Sequence, residues 1–151
     1  MLIGSGLGAA AHAQSGQAGQ TLNFTVQKKT SFEVHGAPSL SLSRLGVPKE
    51  RAAAYSIQTN TGKPRDIRAS LDQAVPSGLT LEAYVDAPES QGRGATSTGW
   101  TTLSPEEQVV VEFIQRTNDE NVPITYRAEA TTAASPGSYV FTVTYTITSA
   151  N

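Results

Sequence analysis

Cysteine occurs nowhere in the 151 residues. Its absence removes disulfide staples, thiol nucleophiles, thiolate zinc sites and iron–sulfur clusters together, so the fold must hold by buried surface alone. Histidine is nearly as scarce, with only His12 and His35. That count leaves too few imidazoles for multi-histidine metal centres, and no metal or cofactor is expected. Charge is sparse and balanced: eleven Lys and Arg against thirteen Asp and Glu give a formal net charge of −2. The basic residues form no stripe interleaved with aromatics, so no nucleic-acid partner is expected. No apolar run approaches the roughly 20 residues of a membrane-spanning helix.

Enzyme motifs are missing as well. There is no Gly-x-Ser-x-Gly elbow, and a Ser-His-Asp relay would have to use His35 with an unidentified serine. Asp86, Glu89, Glu106, Glu107, Asp119 and Glu120 lie in turn-like stretches, where nothing fixes a second carboxylate opposite a first. Asp119 and Glu120, between Asn118 and Asn121, lack the regular alternation of a calcium loop and are expected in a polar hairpin turn. The expectation is a protein that is not an enzyme.

What the chain has in abundance is alternation. In residues 138–149, Tyr139, Phe141, Val143, Tyr145 and Ile147 occupy every second position, and Thr142, Thr144, Thr146 and Thr148 fill the gaps. A strand turns successive side chains to opposite faces, so this run buries one face and wets the other. Pro136-Gly137 supplies the turn before it. Similar patterns predict strands over 21–27, 32–34, 39–43, 53–59, 66–71, 79–85, 109–115 and 124–128. Some eight or nine short strands with closely spaced turn signals indicate an all-β, antiparallel two-sheet sandwich, Ig-like or jelly-roll-like. Phe24, Leu81, Val111, Phe113, Tyr126, Phe141 and Val143 are the expected core.

The start of the chain has a separate logic. Small and apolar residues lead to Ala11-His12-Ala13, an A-x-A cleavage pattern, although no Lys or Arg precedes Lys28. Residues 1–13 therefore read as part of a signal peptide, 14–20 as a flexible polar segment and 21–151 as a single β-sandwich domain. The implied location is exported: periplasm, extracellular space or cell surface. Leu22, Phe24 and Val26 then alternate through 21–27. That pattern serves an ordinary first strand, and it equally serves a strand donated to a neighbouring subunit's sheet edge.

The other candidate site is the stretch 86–100, which has no apolar periodicity and ends at the only tryptophan. Long irregular segments in compact domains are often functional. Trp100 with Arg93 and Asp86 could bind a sugar or anchor a partner; the opposing expectation buries Trp100 as a core plug.

Residues 137–148, Gly-Ser-Tyr-Val-Phe-Thr-Val-Thr-Tyr-Thr-Ile-Thr, resemble the closing strand of secreted bacterial β-sandwich subunits. The similarity is to spore-coat-protein-U-like and related fimbrial subunits, which end in Gly-[Ser/Thr]-Tyr followed by a Thr/Val alternation. The resemblance implies a structural surface protein, a pilus or fibre subunit joined by strand complementation, whose partners are copies of itself or other surface proteins. The chain departs from many such pilins in lacking their cysteine pair. The alternative expectation is a secreted carbohydrate- or ligand-binding module that uses the 86–100 segment for glycans.

Overall fold

The computed structural model describes residues 17–89 and 94–150. Residues 1–13, where an export signal is expected, lie outside the described residues, as do residues 14–16 and Arg93. Every regular element described is a strand: β1 (Thr30–His35), β2 (Lys49–Thr59), β3 (Arg65–Leu71), β4 (Leu79–Val85), β5 (Thr96–Ser97), β6 (Trp100–Thr102), β7 (Gln108–Ile114), β8 (Thr117–Ala130) and β9 (Val143–Ser149). Two antiparallel sheets result, a five-stranded one ordered β1-β2-β8-β4-β6 and a four-stranded one ordered β9-β3-β7-β5. The chain is a two-sheet β-sandwich. Among the described residues no helix is long and apolar enough to cross a membrane.

β8 is the spine of the larger sheet, with β2 on one side and β4 on the other. Its inner face presents Val122, Ile124 and Tyr126. These meet Tyr55 and Ile57 of β2, Ala83 and Val85 of β4, and Ile67, Ala69, Leu71, Val110, Val111 and Ile114 of the opposite sheet in one cluster. Between the layers, the hydroxyls of Tyr126 and Tyr145 share a hydrogen bond of 2.6 Å. Tyr55 reaches further and donates its hydroxyl to the backbone carbonyl of Asp86, also at 2.6 Å. A turn at Pro76-Ser77-Gly78 leads into β4, with the Leu79 N–H donating to the Pro76 carbonyl. Gly78 is obligatory there: it has φ +86°, and a Cβ would sit 2.3 Å from the Ala134 backbone nitrogen.

Bulges account for most departures from simple alternation. Between the pairs Arg65↔Ile114 and Arg68↔Val109, β7 uses more residues than β3. The extra residues turn Val110 and Val111 inward consecutively and leave Phe113 outward, 47% exposed. Phe113 adopts φ +59°, and the nearly buried Asp66 carboxylate accepts its N–H. Strict alternation placed Phe113 in the core, and the bulge overturns that placement. A second irregularity lies opposite Ser56 in β2, where Asn121 of β8 takes φ +57° and donates its N–H to Ser56 Oγ. Asn tolerates the left-handed region through its short polar side chain. The polar run 116–121, expected as a hairpin turn, thus lies mostly inside one continuous 14-residue strand.

Other expectations change too. Residues 21–27 and 39–43 form no strand, and the closing strand begins at Val143. Phe24, expected in the core, is 77% exposed. Phe141, Val143, Tyr145 and Ile147 pack half-buried against the core, which keeps the inward assignment of that alternating face.

Two adjacent residues separate burial from exposure cleanly. Ile114→Ala should cost about 2–5 kcal/mol of stability. Phe113→Gly should stay within about 1 kcal/mol of the parent, since relief of left-handed strain offsets lost packing and strand entropy. Urea unfolding of both variants checks this pair. The tyrosines add a pH signature. Burial pushes the Tyr55, Tyr126 and Tyr145 phenols above their ordinary value; Asp119 and Asp86 add to the rise at Tyr55, and Tyr126 adds to it at Tyr145. A raised folded-state pKa contributes stability that is complete below the unfolded value, about 10, and is lost as pH rises above it. The unfolding midpoint should therefore fall above about pH 10, and Tyr145→Phe should make that fall shallower.

Candidate functional site

The described N-terminal segment, residues 17–29, has no regular structure and is exposed throughout. Leu22, Phe24 and Val26 are 80%, 77% and 74% exposed, so the three alternating apolar side chains cover none of this chain's core. The segment is nevertheless held at its root. Asn60, just past the end of β2, accepts the Lys29 N–H through Oδ1 at 2.9 Å and donates Nδ2 to the Gln27 carbonyl at 2.7 Å. Its own N–H donates to the Lys29 carbonyl at 3.2 Å. Thr30 pairs with Thr59 in the last rung of β1 and β2, so the Asn60 contacts continue the ladder beyond the sheet. The sequence carries no local signal for this role of Asn60, which depends on the register of strands far apart in the chain.

An exposed strand edge is hazardous unless it is short, charged or covered. The edges β5 and β6 are two and three residues long. The edge strand β1 carries Glu33 and His35 and is preceded by Lys28 and Lys29. β9 has none of these protections. Its seven residues, Val-Thr-Tyr-Thr-Ile-Thr-Ser, include no charge and no proline, and among the described residues it pairs with β3 alone.

Trp100 neither plugs the core nor stands free on a loop. It belongs to β6, pairs with Tyr84 of β4 and is 36% exposed. The Arg127 guanidinium lies 3.9 Å from the centroid of the indole ring, and the Tyr84 ring meets it edge-on at 5.6 Å. Arg127 is fixed in turn by Glu82, whose Oε1 accepts from Nε at 3.0 Å and Nη2 at 2.9 Å. A sugar stacking on that face of Trp100 would have to displace a cation already held by a carboxylate. Glu82, Tyr84 and Arg127 were missed from sequence because only the β6-β4-β8 register brings them together. Asp86 lies just past β4, where its backbone accepts from Tyr55 and donates to Pro123.

His35 does find a serine. Its Nε2 lies 3.0 Å from Ser56 Oγ, and Glu33 Oε1 lies 4.0 Å from the same nitrogen. A catalytic relay needs the carboxylate on the opposite ring nitrogen, so this arrangement is not that of a triad. Ser31, Glu33, His35, Ser56, Gln58 and Asn121 border an open depression of about 450 Å³ at this end of β1 and β2. No group of His, Asp and Glu among the described residues is arranged to hold a metal ion.

No family model, curated protein or solved structure matches the chain.

The single tryptophan makes its surroundings measurable. Arg127→Ala should uncover the indole face, shift its emission to the red and raise acrylamide quenching. A stability loss within about 1 kcal/mol is expected, the scale of a surface cation–π contact and ion pair.

Proposed function

We propose that this chain is an exported, non-enzymatic structural protein of the cell surface whose subunits join by donating the strand 21–27. One observation carries the reading: Leu22, Phe24 and Val26 have the two-residue period of a half-buried strand, yet all three lie in solvent. A lone chain gains nothing from that pattern. In a partner's sheet edge, main-chain hydrogen bonds would fix the segment and the alternate side chains would fill a groove. Burying each of the three side chains is worth about 1.5–3 kcal/mol. The Ala-His-Ala pattern at residues 11–13 supports export, and release there would leave a short polar lead before the donated strand. The resemblance of residues 137–148 to fimbrial and spore-coat-protein-U-like subunits points the same way.

The test separates assembly from folding. Replacing Leu22, Phe24 and Val26 together with Asn in the full chain should abolish higher-mass species in light scattering and filaments in electron micrographs. The unfolding free energy of the monomer should stay within the ~0.5 kcal/mol expected of surface substitutions. Assembly unchanged by the triple substitution would overturn the reading.

A further inference from the structure

The two sheets do not match in width. Five strands face four. On one side the layers end level, because β5 and β6 are the edges of the two sheets and only Thr98 and Gly99 separate them in the chain. The mismatch therefore falls on the other side, where β1 overhangs and the position beside β9 is empty among the described residues. Side-chain exposure marks the same place. Val34 of β1 is 42% exposed. Phe32 and Ala53 on one layer, and Phe141, Val143, Tyr145 and Ile147 on the other, touch the core while remaining only partly buried. A sandwich filled to this edge would cover these residues with a fifth strand whose inward side chains are apolar at every second position.

We infer that this vacant position, along β9 and opposite β1, is the acceptor for residues 21–27 of a second copy of the chain. The inference rests on the strand-donation reading above and adds to it the receiving edge. The occupant follows from three features. Leu22, Phe24 and Val26 supply the required period and are exposed. Among the described residues, the Thr-rich β9 is the one edge without charge, proline or extreme shortness to discourage pairing. The Asn60 contacts hold Gln27 and Lys29 in line with β1, so the preceding residues leave past the end of their own sheet. Folding back to the chain's own β9 would mean leaving the five-stranded layer and crossing about 10 Å between sheets. Only Lys28 and Lys29 separate the donor from β1, and Asn60 already binds the backbone on both sides of Lys28. Asn60 therefore acts as a positioning residue that favours exchange between chains.

The absence of native cysteine makes the test clean, because each substituted full chain carries only the thiols introduced. With Leu22, Phe24 and Val26 inward, Thr25 faces the outer surface, as do Thr144, Thr146 and Thr148 on β9. A Thr25→Cys chain is mixed with chains carrying Thr144→Cys, Thr146→Cys or Thr148→Cys, three positions that span a register slip, and the mixtures are oxidised. A mixed dimer with at least one β9 variant is the expected product, lost when the Thr25→Cys chain also carries Phe24→Asn. Assembly accompanied by crosslinking to Ser31→Cys on β1 or Thr102→Cys on β6 instead would overturn the β9 assignment and leave strand donation standing. An intrachain bond in the Thr25→Cys/Thr146→Cys double variant would overturn exchange between chains. That same double variant carrying Asn60→Ala is expected to gain some intrachain product. Absence of both assembly and crosslinks would overturn this inference together with the reading it rests on.

Discussion

Burial between two facing sheets is the interaction on which everything else in this molecule depends. The described residues contain no helix to cover a sheet, and the chain has no cysteine to tie one down. Cohesion therefore comes from the inner faces of β2, β8 and β4 meeting those of β3 and β7. The buried tyrosines belong to the same arrangement, since the Tyr126–Tyr145 hydroxyl bond joins the layers through phenols whose pKa burial raises. A fold held this way has one weak place, the rim where a layer runs out of strands.

The rim is managed unevenly. At the β5 and β6 side the edges are so short that they offer a partner few backbone groups. At the other side β1 is charged, whereas β9 is long, uncharged and rich in β-branched residues. The exposed segment 21–27 has the periodicity of a missing strand and is rooted at Asn60 in line with β1. The proposed donor and acceptor thus lie at two places on one chain, a heterologous arrangement that generates open fibres when the rotation does not close. The Trp100–Arg127–Glu82 cluster, on the β6-β4-β8 part of the larger sheet, is satisfied internally.

Much of the architecture was legible from residue order. The period-two runs at 53–59, 66–71, 79–85 and 124–128 all lie in strands, and the Thr/Val closing run became β9 from Val143 onward. What alternation could not give was the phase after a bulge. Val110 and Val111 both turn inward because β7 carries extra residues against β3, and Phe113 is expelled by the same count. The Asn118–Asn121 stretch looked like a turn by composition, yet Asn121 absorbs its positive φ as a bulge within β8. At the candidate site, Leu22, Phe24 and Val26 were legible as a strand pattern, while their exposure was not, since pairing within or between chains demands the same sequence. The Asn60 contacts and the Arg127 cover on Trp100 depend on cross-strand register and left no local trace.

In the proposed assembly, residues 21–27 of another copy fill the position beside β9 that is empty among the described residues. Amide hydrogen exchange of the full chain, compared between dilute and concentrated solution, tests this most directly. With strand donation at β9, protection should rise together at residues 21–27 and across Val143–Ser149 on concentration, with β6 unchanged. Protection that rises elsewhere, or that fails to rise at β9 while the chain assembles, would contradict it.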